Sequence, residues 1–215
     1  MEFKHYSVLL EECIEALNIK PRTVANSNIL CTGCSACSLV CPVGAIKMEK
    51  NKEGFLFPDV NDSVCINCGM CLKKCIVKNP SYKNMSDPEC YALMADLPLR
   101  MKSSSGGAFT AFANDIIDNG GYVCGAAYTD NFEVEHIIVN SKDELWKLRG
   151  SKYMQSKIGN TFVEIKNLLM QNKLVLFTGM PCQVAGLYAY LDKEYPNLYT
   201  IDLLCHGMTS STVFH

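Results

Sequence analysis

The chain has 215 residues, a formal net charge of −2 and 48% hydrophobic residues. This is globular composition, and the near-zero charge argues against a nucleic-acid binder that works through a basic surface. No apolar run approaches the ~18 residues of a spanning helix, and the first residues do not form a secretion signal, so we expect no transmembrane segment and a cytoplasmic protein. The unusual number is 13 cysteines. Eight of them lie between Cys31 and Cys75, which in such a chain indicates metal rather than disulfides.

Residues 1–28 are predicted to form a helical extension. Val8, Leu9, Ile14 and Leu17 make an apolar stripe at helical spacing, with glutamates opposite. Ser7 is a suitable N-cap for this helix.

Two cysteine runs repeat in residues 29–80. The first is Cys31-x2-Cys34-x2-Cys37-x3-Cys41-Pro42, and the second is Cys65-x2-Cys68-x2-Cys71-x3-Cys75. In bacterial two-cluster ferredoxins with this spacing, three cysteines hold one [4Fe–4S] cluster and the fourth crosses to the other. We therefore predict a two-[4Fe–4S] ferredoxin domain over residues 29–80. The predicted ligands of the first cluster are Cys31, Cys34, Cys37 and Cys75, and those of the second are Cys65, Cys68, Cys71 and Cys41.

Zinc is the main alternative for these cysteines. Zinc sites usually separate two CxxC hooks by about 12–20 residues. Here a third cysteine follows after two residues and a fourth after three more, which crowds a tetrahedral site. The spacing therefore favours iron–sulfur clusters, which transfer single electrons, and a disulfide framework is the least favoured interpretation.

Beyond a linker at residues 79–88, predicted helices and strands alternate, which indicates a mainly parallel α/β layer. The predicted helices cover residues 107–119, 141–148, 158–171 and 183–191. The predicted strands cover residues 122–128, 133–139, 174–177 and 198–204. The strand at residues 174–177 is a continuous apolar run, as in a sheet that is buried on both faces, and residues 198–204 are predicted to form a further buried strand. With the ferredoxin domain, this gives an α+β fold class.

Four stretches of the α/β layer have the character of site loops. They are Ser103 to Gly107, Arg149 to Ser156, Phe177 to Gln183, and Asp202 to Gly207. A Gly/Ser loop before a helix suits a phosphate because free N–H groups and the helix dipole point at it, although most such loops are only caps. The second stretch can equally be a solvated loop. The last two follow predicted strands, where ligands of open α/β sheets bind.

Those four stretches contain SSGGAFTA, RGSKYMQS, FTGMPCQVAGL and DLLCHG, in this order behind the ferredoxin runs. Through them, residues 29–215 resemble the coenzyme F-420 hydrogenase/dehydrogenase beta-subunit family. Members of that family are flavin and iron–sulfur proteins that pass electrons between clusters and a flavin, and archaeal members reduce a deazaflavin. The resemblance implies that residues 88–215 are a flavin-binding α/β domain of this type, with FAD as cofactor.

The resemblance also implies which residues contact the FAD. Candidates for the pyrophosphate are Ser105, Gly106 and Gly107. Candidates for the flavin or its phosphates are Lys152, Tyr153 and Gln155, while Thr178, Gly179 and Gln183 would line the strand-end crevice. Cys182 and Cys205 remain open: they are buried small hydrophobes, or half of a third cluster completed further along.

Both ends of the chain depart from this family. Relatives continue well past His215, so we expect a fragment whose α/β domain is incomplete. At the other end, MEFKHYSVLLEECIEALNIKP is similar to the N-terminus of the small-subunit rRNA cytosine methyltransferase family. That resemblance stops before any cofactor loop, so methyl transfer has no predicted site.

The predicted function is an oxidoreductase subunit that passes electrons between two [4Fe–4S] clusters and a flavin, to or from a ferredoxin- or deazaflavin-like partner. Other oxidoreductase subunits are possible further partners. The alternative is a non-enzymatic ferredoxin-type electron carrier whose truncated C-terminal domain has no function.

Overall fold

The computed structural model describes residues 31–80 and 88–213. The predicted N-terminal helix and most of the predicted linker lie outside these residues. Within them, an iron–sulfur-type module built from residues 31–80 packs against an α/β domain built from residues 88–213.

The first module consists of two short helices and a hairpin. Its elements are α1 (Ala36–Leu39), β1 (Ile46–Lys50), β2 (Leu56–Val60) and α2 (Met70–Lys73). Strands β1 and β2 pair antiparallel, and a turn at residues 51–54 joins them. The side chain of Asn51 accepts hydrogen bonds from the backbone N–H groups of Glu53 and Phe55, and Gly54 supplies the positive φ of 83° that closes the turn.

The two cysteine runs also share a backbone conformation. Gly33 in the first run and Asn67 in the second are both left-handed, with φ of 70° and 55°. The residues after the second cysteines, Ser35 and Gly69, are left-handed as well, with φ of 65° and 72°, and a one-turn helix follows each. The internal repeat in the sequence is therefore a repeat in structure, although glycine does not occupy the same positions in both runs.

The α/β domain keeps the predicted order of elements. Its helices are α3 (Leu97–Met101), α4 (Ala108–Asp118), α5 (Thr161–Met170) and α6 (Pro181–Leu191), with 3-10 helices at Lys142–Lys147 and Ser211–Val213. Its strands are β3 (Tyr122–Tyr128), β4 (Val134–Val139), β5 (Val175–Gly179) and β6 (Leu198–Asp202). The predicted helix after Ser141 is a 3-10 helix, and Ser141 caps it by accepting from the N–H of Asp143.

The four strands form one sheet in the order β4-β3-β5-β6. Strands β3, β5 and β6 run parallel, as predicted. Strand β4 is an antiparallel edge because only a short loop joins it to β3, and a hairpin connection forces neighbouring strands to run in opposite directions.

Apolar side chains cover both faces of the sheet at β5, which confirms the prediction from its continuous apolar run. The prediction of a buried strand over residues 198–204 is wrong in part: β6 ends at Asp202 and is half-buried, and Leu203 and Leu204 are exposed. Along β5, Val175 and Phe177 pack with α5 and α6 on one face, whereas Leu176 packs with α4 and the first 3-10 helix on the other. The domain thus has three layers, and the carboxyl ends of β5 and β6 are free to carry site loops.

Among the described residues, no helix has both the length and the apolar character needed to span a membrane.

Candidate functional site

Four cysteines from the two runs come together at one end of the iron–sulfur module. The sulfur of Cys31 is close enough to Cys75 for their charges to interact, and Cys34 and Cys37 each interact with both. Cys75 belongs to the second run, so the grouping crosses between the runs in the manner predicted for the first cluster. We refer to Cys31, Cys34, Cys37 and Cys75 as the first quartet.

The other cysteines of the runs include one exposed residue, Cys68, whereas Cys41, Cys65 and Cys71 are half-buried like the first quartet. Cys71 interacts electrostatically with Cys65 and Cys68, and Cys68 is exposed. The sulfur of Cys41 accepts a hydrogen bond of 3.2 Å from the backbone N–H of Ala45, which holds it at the start of the hairpin. We refer to Cys41, Cys65, Cys68 and Cys71 as the second quartet; the inclusion of Cys41 follows from the sequence spacing.

The backbone and the thiols fit an iron–sulfur cluster. Left-handed residues beside right-handed ones turn successive N–H groups toward a common point, a concavity found at many Fe–S sites. Burial raises the pKa of the Cys34 thiol to about 11 and that of Cys37 to about 12, with neighbouring cysteines adding to the effect. Iron ligation needs the thiolate, and the positive charge of the metal provides the stabilisation that burial removes.

The spacing of the side chains bears on the zinc alternative. Across residues 31–80 and 88–213, no three His, Cys, Asp or Glu side chains converge closely enough to hold a single metal ion. A zinc ion holds its sulfur ligands at about 2.3 Å, whereas a four-iron cluster takes one thiolate at each iron and so spreads its ligands more widely. Four cysteines also form one kind of zinc site, so the close spacing of the cysteines within each run, rather than their number, favours the iron–sulfur centre.

Helix α6 packs against the first quartet. A Cβ on Gly186 would lie 2.9 Å from Cβ and 3.2 Å from Sγ of Cys34, so only glycine lets the helix come this close. Cys182, one turn earlier, interacts electrostatically with both Cys34 and Cys205, and burial raises its pKa to about 12. The structure therefore places Cys182 beside Cys34 of the first quartet, and Cys205 beside Cys182.

Hydrogen bonds also join the iron–sulfur module to the α/β domain. The side chain of Gln155 accepts from the backbone N–H of Leu56 at 2.6 Å and donates to the carbonyl of Thr32 at 3.4 Å. Thr212 donates to the carbonyl of Glu53 at 2.8 Å. Gln155, predicted from the resemblance to contact the flavin, thus uses both atoms of its amide to hold the loop of Cys31 and strand β2.

The Gly/Ser loop and the loop that begins at Arg149 lie side by side. Nε of Arg149 donates to Oγ1 of Thr110, in the first turn of α4, at 3.3 Å. A Cβ on Gly150 would lie 4.0 Å from Oγ of Ser104. Arg149 is in no ion pair within the described part of the chain, so a cation stands at the positive end of a helix dipole, an arrangement that an anion would stabilise.

The glycines of this loop have their own reasons in packing. A Cβ on Gly106 would meet the carbonyl oxygen of Leu93 at 2.8 Å, and Gly107 is left-handed with φ of 78° at the N-cap of α4. Ser105 is exposed and also left-handed, with φ of 53°. The loop therefore brings the three predicted pyrophosphate contacts to the start of α4. The backbone of Gly106, however, lies close to the carbonyl of Leu93, so packing alone requires glycine at this position.

Two further predicted flavin contacts, Lys152 and Tyr153, lie in the loop that begins at Arg149. Nζ of Lys152 donates to the carbonyls of Lys147 at 3.1 Å and Arg149 at 2.8 Å, and burial lowers its pKa to about 8. Tyr153 is 74% exposed, so its ring is open to a ligand.

The remaining predicted contacts lie at the carboxyl end of β5. Oγ1 of Thr178 donates to the carbonyl of Cys124 at 3.1 Å. Gln183 accepts from the N–H of Met180 at 2.9 Å and donates to Oγ of Ser156 at 2.8 Å. A Cβ on Gly179 would lie 3.0 Å from Oε1 of Gln183, so glycine is needed there to make room for this amide.

Three residues of the site were not predicted individually from the sequence. Arg149 belongs to a loop that the sequence did indicate, and Gly186 is a glycine inside a helical pattern, which often marks a close backbone approach. His136 had no sequence signal. It is buried against Phe177, with ring centroids 5.3 Å apart, and its Nε2–H donates to the carbonyl of Thr178 at 3.1 Å.

A duplicated four-cysteine loop packed against an α/β domain is typical of an iron–sulfur protein that transfers electrons. Comparison with family models agrees: residues 30–79 match the 4Fe-4S dicluster domain, and residues 90–161 match the N-terminal domain of the coenzyme F420 hydrogenase/dehydrogenase beta subunit. The chain thus matches both models, which confirms the predicted resemblance to this family over residues 30–79 and 90–161.

Individual relatives point the same way. The chain is 25% identical over 191 residues to one subunit of the F(420)H(2) dehydrogenase of Methanosarcina mazei, covering 82% of this chain and 53% of that protein. It is 34% identical over 73 residues to an uncharacterised ferredoxin of Methanocaldococcus jannaschii, covering 29% of this chain and 41% of that protein. The chain spans about half the length of these curated relatives or less.

Among solved structures, a chain of the F420-reducing [NiFe] hydrogenase complex from Methanosarcina barkeri superposes with a TM-score of 0.46 at 20% identity. The match covers 57% of this chain and 45% of that one.

Proposed function

We propose that this chain is an iron–sulfur flavoprotein subunit that passes electrons between two [4Fe–4S] clusters and FAD, in exchange with a ferredoxin- or deazaflavin-like partner and with other oxidoreductase subunits. The first cluster would be held by the first quartet and the second by the second quartet. The clusters, when bound, supply one-electron chemistry, and the flavin couples it to two-electron chemistry.

The observation that carries this proposal is the contact between Cys34 and helix α6. Electron transfer between two domains needs their redox groups close together, and Gly186 lets the Cys34 loop lie directly on the α/β domain. The bonds of Gln155 and Thr212 hold the two parts in this arrangement. Such a fitted interface favours joint function over a ferredoxin-type carrier with an idle C-terminal domain.

The surface formed by Arg149, Ser105 and the N-terminus of α4 is suited to an anion and supports the FAD part of the proposal. Arg149, the N-terminus of α4 and the exposed Ser105 are near each other, and a pyrophosphate would satisfy the guanidinium and the free N–H groups together. Lys152, whose pKa burial lowers to about 8, is mostly protonated at pH 7 and adds positive charge to the same loop. Tyr153 offers an exposed ring for stacking.

Anaerobic reconstitution with iron, sulfide and FAD tests the proposal. We expect about eight iron and eight sulfide per chain, the amount in two [4Fe–4S] clusters, together with retained flavin absorbance. Arg149→Ala should weaken FAD binding about tenfold because it removes a charge-assisted contact to phosphate. The control is Lys173→Ala, an exposed lysine at the opposite end of β5.

The two parts of the proposal can fail separately. A chain that loads both clusters and does not bind FAD would leave only the ferredoxin-type carrier. Zinc in place of iron, or equal FAD binding by Arg149→Ala and the unmodified chain, would contradict the ligand assignments.

A further inference from the structure

The two quartets differ in what covers them. Helix α6 lies against the first quartet, with Gly186 on Cys34, and Ile76 beside that quartet packs against Ala185. No such cover lies over the second quartet among the described residues, and Cys68 is exposed there. An electron carrier outside the protein therefore reaches the second quartet more directly than the first.

The loops that carry the second quartet also expose an unusual number of apolar side chains. Ile66 is 59% exposed and Leu72 is 44% exposed. We define the outer face as these two residues together with Val43, Val64 and Met70, all of which are exposed. Each stands within two residues of a cysteine of the second quartet, so the outer face lies beside that quartet.

The size of the outer face fits a transient complex. From the exposed fractions, its exposed area is on the order of 400 Å², within the range of the largest apolar patch on a typical monomer, a patch that often has a function. A stable dimer buries about 800 Å² on each partner, whereas electron-transfer encounters fall below this. The area therefore favours a partner that binds and leaves over a permanent second copy of the chain.

Charge at the rim of the outer face indicates the kind of partner. Three lysines and one aspartate lie between residues 61 and 79. Lys74 is paired with Asp192 of the α/β domain. Lys73, in the last turn of α2, and Lys78 are paired with no acid within the described part of the chain, and Asp62 offsets only one of them. The rim thus has a surplus of positive charge.

We propose that the outer face is a transient docking surface for a small acidic one-electron carrier protein, with Ile66 and Leu72 at the contact and Lys73 attracting the carrier's acidic rim. This inference rests on the proposed function. In each encounter the reduced carrier loses one electron and is oxidised by one unit, and the iron–sulfur protein gains that electron. No bond forms or breaks, and no proton moves.

The test measures how fast a protein reductant and a small reductant deliver electrons to the reconstituted chain. Fully reduced flavodoxin serves as the small acidic carrier, and dithionite serves as the small reductant. Stopped-flow absorbance follows the flavodoxin semiquinone and the bleaching of the clusters. We expect Ile66→Gln/Leu72→Gln to slow reduction by flavodoxin about tenfold and Lys73→Glu to slow it similarly, with a weaker dependence on salt.

Matched controls separate docking from general effects. Trp146→Gln replaces an apolar side chain of the α/β domain that is 66% exposed, and Lys173→Glu reverses an exposed charge there. Both should react with flavodoxin at the rate of the unmodified chain. All variants should keep their iron content and their rate with dithionite; if the double variant loses iron, Lys73→Glu alone decides the question.

Two results would overturn the proposal. One is reduction of the outer-face variants by flavodoxin at the unmodified rate. The other is a dimer, measured by sedimentation, that Ile66→Gln/Leu72→Gln converts to a monomer, because a second copy would then occupy the face. Failure of FAD binding would defeat the proposed function and leave this test interpretable, since the rates are measured on the clusters alone.

Discussion

At the scale of single residues, the contact between Gly186 and Cys34 decides how the two parts of the chain meet. The helix backbone lies so close to the cysteine that an added methyl group has no space: its nearest neighbours would be Cβ and Sγ of Cys34 at 2.9 and 3.2 Å. Both atoms are held by the loop that shapes the first quartet, so neither can move aside without changing that loop.

Gly186→Ala is therefore expected to weaken the protein despite the better helix propensity of alanine. Crowding costs about 1–3 kcal/mol and the gain in propensity returns about 1 kcal/mol. We expect a lower urea midpoint and a lower iron content, from loss of the first cluster. Gly120→Ala is the control: its Cβ meets nothing within 4 Å, so it strains a positive φ of 72° without touching a cysteine loop. Full iron content in Gly186→Ala would contradict the assignment of the first cluster to the cysteines that pack against Gly186.

At the scale of elements, the segment before α5 connects the sheet to the iron–sulfur module. Gln155 holds strand β2 and the Cys31 loop. Two residues later, Lys157 exchanges backbone hydrogen bonds with β4: its N–H donates to Val134 and its carbonyl accepts from His136, both at 2.8 Å. A short irregular segment thus links the edge of the sheet to the hairpin.

Gln155→Leu should uncouple the two parts. It removes the acceptor for the N–H of Leu56, and an unpaired, partly buried donor costs about 1–3 kcal/mol. Cluster absorbance reports on one part and the single tryptophan, Trp146, on the other. We expect their urea transitions to coincide in the unmodified chain and to separate in the variant.

Gln171→Leu makes the same exchange at an exposed position and should leave the two transitions coincident. Separate transitions already in the unmodified chain would show that the interface does not couple unfolding.

At the scale of the whole molecule, stability depends on a sheet whose two faces are both covered and on a histidine buried inside that structure. His136 is 6% exposed, and its Nδ1 has no hydrogen-bond partner within the described residues. Burial lowers the pKa of His136 to about 4, opposed in part by its bond to Thr178. The native protein therefore holds a neutral imidazole near pH 7.

The sign of the pH dependence follows from this shift. Between pH 6.5 and about 4 the unfolded chain binds a proton at His136 that the native protein does not, so stability falls as the pH falls. From pH 7 to pH 5 the loss from this group is about 2 kcal/mol. Between pH 7 and pH 5, the free energy of unfolding should fall by about 2 kcal/mol less in His136→Gln than in the unmodified chain. Anaerobic urea unfolding at both pH values measures this difference.

His206→Gln, at an exposed position, is the control and should have the pH dependence of the unmodified chain. If His136→Gln also has that dependence, burial of His136 does not govern the acid response.

The sequence by itself determined most of the helices and strands and the iron–sulfur character of the cysteine runs. Repeated cysteine spacing predicted the two iron–sulfur loops, and apolar runs predicted a doubly covered sheet, because both signals depend on neighbours along the chain. Only the tertiary structure decided which parts meet. Three contacts join residues that are far apart in sequence: Cys34 with Gly186, Gln155 with Leu56, and Arg149 with Thr110 of α4. The spacing of residues along the chain does not reveal such contacts, since they depend on how complete helices and strands pack.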